Sequence, residues 1–375
     1  MRSGPPARAR YALLWALATA GWLAASAAEG EADAAAKPIE AVIAAANGVD
    51  GDKVAAWKRE GFRAVVVVLE ERAEARALQK AARAVAANSL DLYYWIEVGR
   101  NPDLAERHPE WMAPLGMHDD WRKRFPKVRP TTKGEVAKAW PWVPISYRES
   151  FDAHRKRIKR LLATAPEGYR GLLLNDLQGG PASCGCGNLQ CRWAVDYGVP
   201  STATKLAGPD VAARFVAEVG KAVTGKEVIP VWTTECEQED LPAGQRPKRG
   251  WGTGYCGNVP CFDTCRKRFA EQWKALNASR RGPTAVLLLH REFHRDLKGY
   301  GGPAGWITQA VASLAQRGTA TIPPRRLWLV VQGYGVPAEE EAAARRLAAK
   351  TGAGLVLVAR TPIDQSYEPR ITKVK

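Results

Sequence analysis

The chain has 375 residues, 46% hydrophobic and 25% charged, which is the balance of a folded globular protein. It is long enough to bury a full-size core in one large α/β domain or two smaller ones. Its 55 basic and 39 acidic residues leave a net charge of +16 with no accompanying nucleic-acid motif, so charge alone does not carry nucleic-acid recognition, and attraction to acidic polysaccharide fits better.

Residues 1–28 read as a signal peptide: Arg2, Arg8 and Arg10 form a basic start, Tyr11 to Leu23 an apolar run, and Ala25-Ser26-Ala27 a small-residue cleavage site. That run is too short for a comfortable span, and no later stretch approaches about twenty apolar residues. The expected mature protein is therefore secreted or periplasmic, without a membrane-spanning helix. Residues 29–37 form a flexible leader, and 38–375 a single domain.

An apolar run followed by a helical pattern then recurs along the chain. Strands are predicted at Ile39 to Ala46, Phe62 to Leu69 and Leu90 to Val98, with helices at Asp52 to Glu60 and Ala73 to Ala87. Residues 99–147 lack a steady period and are rich in Pro, Trp and charge, so they read as an insertion with a functional role. A helix resumes at Ser150 to Thr164. Its run from Arg155 to Arg160 reads as a solvated basic face. A buried strand, Tyr169 to Asp176, opens into a cysteine-bearing loop. Helix Pro209 to Val223 and strand Glu227 to Trp232 follow, then a second cysteine loop and a helix from Cys265 to Asn277. The remaining units are strand Thr284 to Leu289, helix Ala304 to Gln316, strand Leu327 to Val331, helix Glu339 to Thr351 and strand Gly354 to Val358.

Eight strands alternating with seven helices imply parallel strands with right-handed crossovers, and eight is the number that closes a (β/α)8 barrel of the TIM type. Long loops follow strands three, four and five. The open doubly wound alternative lacks a glycine-rich fingerprint after its first strand. In a barrel the site lies at the C-terminal strand ends. Asn47, Glu97, Asn175, Asp176, Glu235, His290, Glu292, Gln332 and Arg360 fall there, as do Glu70 and Glu71 at the end of the second strand, with Trp95 and Trp232 nearby. Several carboxylates converging on one mouth suit glycoside hydrolysis, which uses one as proton donor and one as nucleophile or base. Each also has a plain reading as a solvated group, a helix cap or an ion-pair partner. Asp176 and Glu235 form the favoured catalytic pair, ending consecutive strands that each lead into a cysteine loop, and Glu292 is a third candidate. Asn47, Glu97, Asn175, His290, Gln332 and Arg360, with the two tryptophans, are expected to bind substrate. Of the 14 tryptophans, Trp111, Trp121, Trp140, Trp142 and Trp251 also fall in loops or near strand ends. Each is either a sugar-stacking ring or ordinary core.

Asn175-Asp176 at the end of the fourth predicted strand resembles the large glycoside hydrolase clan whose acid/base follows an Asn there. His108-Pro109-Glu110-Trp111-Met112-Ala113 is similar to a segment of secreted barrel hydrolases. Cys184-Gly185-Cys186 with Cys191-Arg192-Trp193 and Asp196-Tyr197-Gly198 resembles the cysteine loop of β-galactosidases with a structural zinc cluster. The resemblance implies a carbohydrate substrate. The chain departs from it in two places: the clan has Glu where this chain has Asp176, and its nucleophile ends strand seven, where this chain has Gln332. A glutamine cannot be that nucleophile. Acid work is then shared with Glu235 or Glu292, or the barrel binds sugar without turnover.

All seven cysteines, Cys184, Cys186, Cys191, Cys236, Cys256, Cys261 and Cys265, fall in the two loops after strands four and five. In an exported protein three disulfides and one thiol are the favoured reading, and a structural zinc held by four thiolates the other. His290 and His294 flank Glu292, which leaves a metal-dependent hydrolase as a third reading, although paired histidines at that spacing need a helix to face one ion.

Overall fold

The structure is a computed structural model. It describes residues 38–113, 127–177, 206, 210–233, 275, 282–288, 324–333, 338–358 and 368–373.

Eight strands form a closed parallel barrel: β1 (Glu40–Ala45), β2 (Ala64–Val68), β3 (Asp91–Glu97), β5 (Gly171–Asn175), β6 (Glu227–Thr233), β7 (Thr284–Leu288), β8 (Leu327–Gln332) and β9 (Gly354–Val358). Closure is made by β9 pairing with β1, Leu355 opposite Glu40 and Val358 opposite Ile43. The predicted (β/α)8 barrel is therefore the observed one, with all eight strands where the apolar runs placed them. Such runs become strands buried on both faces, which is why they are continuous rather than alternating. All five residues of β5 are buried.

The two faces of each strand enter different cores. Ile43, Val66, Trp95, Leu173, Val231 and Val330 belong to the cluster filling the lumen. Val42, Val65, Leu92, Tyr94, Leu172 and Leu174 pack outward instead. Their partners there include Val54 and Trp57 of helix α1 (Gly51–Arg59) and Leu78 and Val85 of α2 (Ala75–Ala87). Later helices supply Ile158 and Leu161 of α4 (Arg148–Thr164), Phe215 and Val219 of α5 (Val211–Ala222), and Ala344 and Ala348 of α6 (Ala338–Thr351). At the N-terminal end of the lumen, Tyr93 and Trp328 meet edge to face with centroids 5.6 Å apart. Room for two such rings comes from Gly171 and Gly354, which start β5 and β9. A Cβ on Gly354 would lie 2.8 Å from the Trp328 ring, and one on Gly171 would lie 2.6 Å from the Glu227 carbonyl.

The described parts of the insertion, residues 99–113 and 127–147, hold more regular structure than the sequence predicts. They contain a short helix, α3 (Pro102–Arg107), a 3-10 turn at Pro109–Trp111, and β4 (Glu135–Trp140). Asn101 caps α3, its Oδ1 accepting from the Leu104 amide at 3.0 Å. β4 pairs antiparallel with a tenth strand, β10 (Glu368–Lys373), with Trp140 opposite Glu368 and Glu135 opposite Lys373. Neither strand is predicted by the sequence. Each is short and polar, and the partners lie more than two hundred positions apart, so nothing local marks them. In β4 the pattern is further disguised by Lys138, only 1% exposed, whose ammonium donates to the carbonyls of Glu110 and Met112 at 3.0 Å each. Burial pushes that ammonium down to about 8, with the Glu110 charge acting against the shift. The predicted helices at 265–277 (bar residue 275) and 304–316 lie outside the described residues.

Candidate functional site at the barrel mouth

Alternation along β3 and β5 sets the mouth. With Trp95 and Leu173 in the lumen, Glu97 and Asn175 are the next residues of the same parity, and they stand opposite each other in register. The Glu97 carboxylate accepts on both oxygens, from the Trp95 indole N–H at 2.7 Å and from the Asn175 amide at 2.8 Å. An ionised carboxylate only accepts, so Asn175 must present its nitrogen to Glu97. That choice fixes the other end of the amide: Asn175 is fully buried, and its Oδ1 has no hydrogen-bond partner among the described residues. The mouth therefore carries a half-buried, two-donor carboxylate beside an acceptor oxygen that a hydroxyl could satisfy.

Asp176 follows at once and behaves differently. Its φ is +63°, in the left-handed region that Asp tolerates better than most residues, and it is 1% exposed. It packs against Gly99, where an added Cβ would meet the Asp176 carbonyl at 2.7 Å and the Trp142 ring at 3.4 Å. Gly99 is thus the gap through which the end of β5 passes between β3 and the insertion. The Val98 amide donates to the Asn175 carbonyl at 3.1 Å, and the Val143 amide to the Gly99 carbonyl at 2.7 Å.

Behind the mouth, α4 presents a polar edge at Ser150, His154 and Arg157, all buried. Ser150 Oγ donates to the Pro144 carbonyl at 2.6 Å, and His154 Nε2 lies 2.7 Å from the Val143 carbonyl. That carbonyl only accepts, so Nε2 carries the proton. Burial pushes His154 down to about 3 and outweighs the Val143 bond, which keeps the ring neutral. Arg157 grips both oxygens of Glu71, one through Nε and the other through Nη2 at 2.8 Å, and donates from Nη1 to the Glu97 carbonyl at 2.7 Å. Burial works to raise the Glu71 carboxyl, but the Arg157 bonds and charge prevail and hold it below the ordinary carboxylate value. The solvated-face reading of this helix therefore holds for Lys156, Lys159 and Arg160, which are exposed, and fails for Arg157. The missed signal was periodic: position 157 falls on the stripe of Phe151, His154, Ile158 and Leu161 that faces the core.

Other predicted site residues are placed as follows. Trp95 is fully buried in the lumen, beneath Glu97 and not beside a solvent-facing surface. Asn47 is exposed in the 3-10 turn after β1. Trp232 lies within β6, paired with Val286, and Gln332 ends β8 opposite Val358. Glu235, His290, Glu292, Arg360 and all seven cysteines lie outside the described residues. Among the described residues no helix is long and apolar enough to cross a membrane.

A closed parallel barrel with carboxylates and amides at its C-terminal mouth defines the (β/α)8 class. No family model matches the chain, and no curated protein matches its sequence. Among solved structures it is similar to an endo-1,4-beta-D-mannanase from Thermotoga petrophila, at 10% identity and TM-score 0.45 over 86% of this chain and 88% of that one. It is similar also to a chitinase catalytic domain from Pyrococcus furiosus, at 8% identity and TM-score 0.39 over 86% and 85%. An HpcH/HpaI aldolase from Desulfitobacterium hafniense matches at 10% identity and TM-score 0.33 over 86% of each chain.

Proposed function

We propose that this is an exported, glycoside-hydrolase-like barrel that acts on polysaccharide or oligosaccharide at its C-terminal mouth. The observation that carries the reading is the Glu97–Asn175 pair: a carboxylate fixed by two donors, next to a buried amide oxygen suited to a sugar hydroxyl. A carboxylate oriented in this way is placed to serve as base or nucleophile, or as the charge that stabilises an oxocarbenium-like transition state. The proton donor then comes from Asp176, Glu235 or Glu292. The seven cysteines brace the loops around the mouth, as disulfides rather than a zinc site; one free thiol in denaturant and no bound zinc is the expected result. Screening the purified protein against a glycan panel, with Glu97→Gln and Asp176→Asn beside it, tests the reading. Turnover lost in Glu97→Gln with the fold retained supports it, and neither binding nor turnover of any glycan by wild type refutes it.

One observation favours a second reading, a barrel that binds sugar without cleaving it: Gln332 ends β8, where the clan that the sequence resembles has its nucleophile. Glycan binding without turnover in wild type selects it.

A further inference from the structure

Arg157 is the only cation of the basic run on α4 that turns inward, and it reaches two strand ends at once. Its guanidinium spends one bond on the Glu97 carbonyl at the end of β3 and a two-point grip on the Glu71 carboxylate just past the end of β2. The side chain is 7% exposed, whereas that of Glu71 is 40% exposed, so the grip runs from the interior to the rim of the mouth. A planar fork of five donors suits this task; a lysine could satisfy only one of the two partners well.

The Glu97 carbonyl matters because of what its own side chain does. The carboxylate takes one donor from Trp95, two residues back on the same strand, and one from Asn175 across the ladder. Both bonds hold only while the last residue of β3 stays in register. The backbone bond from Val98 to Asn175 fixes that register from one side, and Arg157 fixes it from the other. One turn earlier on α4, His154 holds the Val143 carbonyl of the insertion, and the Val143 amide in turn holds the Gly99 carbonyl. The segment from Glu97 to Gly99 is thus pinned to α4 at two points.

We propose that Arg157 is a positioning residue for the mouth: by bridging Glu71 and the Glu97 backbone it sets the place of the Glu97 carboxylate. The proposal rests on the reading of the mouth as the sugar site for its kinetic consequence, but not for its structural one. The structural readout is the indole N–H resonance of Trp95, assigned with Trp95→Phe, since a hydrogen bond to a carboxylate shifts that proton downfield. In Arg157→Lys and Arg157→Leu the resonance moves upfield, at temperatures where both are folded. In Ser150→Ala, which removes a bond on the same helix edge, it stays. An unmoved Trp95 resonance in the Arg157 variants overturns the proposal whatever the protein binds. Should neither variant fold, Glu71→Gln loosens the same grip with Arg157 in place, and the same shift is expected. On a glycan that wild type cleaves, Arg157→Lys lowers kcat by about a hundredfold with a smaller change in KM, the size expected of a carboxylate displaced by about an ångström. Full kcat in Arg157→Lys also overturns it. If wild type cleaves nothing, the sugar-hydrolase reading fails, and the resonance alone decides the role of Arg157.

Discussion

The two ends of the lumen are built from the same strands by the same alternation, yet they are opposite in chemistry. At the N-terminal end Tyr93 and Trp328 fill space left by Gly171 and Gly354. The Tyr93 hydroxyl there donates to Glu227 at 3.3 Å. At the mouth, Glu97 and Asn175 sit two layers further along β3 and β5, and Arg157, Glu71 and Asp176 surround them. The closed end has little to do but pack. The open end keeps charged and amide groups that cost stability unless each is held, and most of its hydrogen bonds hold them.

Substitutions break this contrast to different extents. The largest effect is expected from Gly354→Val, since its Cβ alone would collide with Ile39 and Trp328 at under 3 Å. Overpacking and backbone shifts at that site should cost several kcal/mol, about 3 or more, and leave little folded protein by circular dichroism. Trp328→Ala, on the same layer, should lower the unfolding free energy by about 3–5 kcal/mol in urea titration. Truncation before Glu368 removes β10, the Ile371 contact with the insertion, and the Arg370–Glu106 pair. A loss of about 2 kcal/mol is expected from the apolar area exposed, with proteolysis appearing first between residues 99 and 147.

At the mouth the stability effects are smaller and the functional ones larger. Glu97→Gln should cost about 1–2 kcal/mol, because Asn175 can turn its amide and meet the new side chain. Turnover should nevertheless fall by about a hundred- to ten-thousandfold. His154 gives the mildest test, in pH. Its folded value of about 3 lies below the unfolded one near 6.5, so between those limits the unfolded chain binds a proton that the folded chain refuses. The stability associated with the neutral ring is complete above about pH 6.5 and falls by about 1.4 kcal/mol per unit as acid is added. The neighbouring Arg157 charge favours the neutral ring, and Glu71 opposes it. Urea titrations at pH 7 and pH 5 should show His154→Gln losing about 2 kcal/mol less than wild type on acidification. Below about pH 4.5 Glu71 adds a loss of the same sign, because its folded value is lowered too.

The barrel was legible because its strands are long apolar runs, a signal that local chemistry alone produces. The strand ends were legible for the same reason, and they brought Glu97, Asn175 and Asp176 to one region. What the sequence could not separate were the roles of two adjacent polar residues. Asn175 faces Glu97 across the ladder, while Asp176 turns into a left-handed conformation and packs beneath the insertion. Only the register of β5 on β3 and the close approach at Gly99 distinguish them.

By itself, then, the amino-acid order determined the eight strands and their order, the helices α1, α2, α4, α5 and α6 within a few residues, and the fall of Glu97 and Asp176 at the ends of their strands. Periodicity and apolar runs are local, and they survive without a partner. Tertiary structure alone decided that β10 straps the insertion through β4, that Lys138 is buried against two carbonyls, and that one arginine of a basic run turns inward to Glu71 and Glu97. Each of these joins residues separated by long stretches of chain, or depends on which side of a helix meets the barrel. A polar side chain's role is set by the partner it finds there.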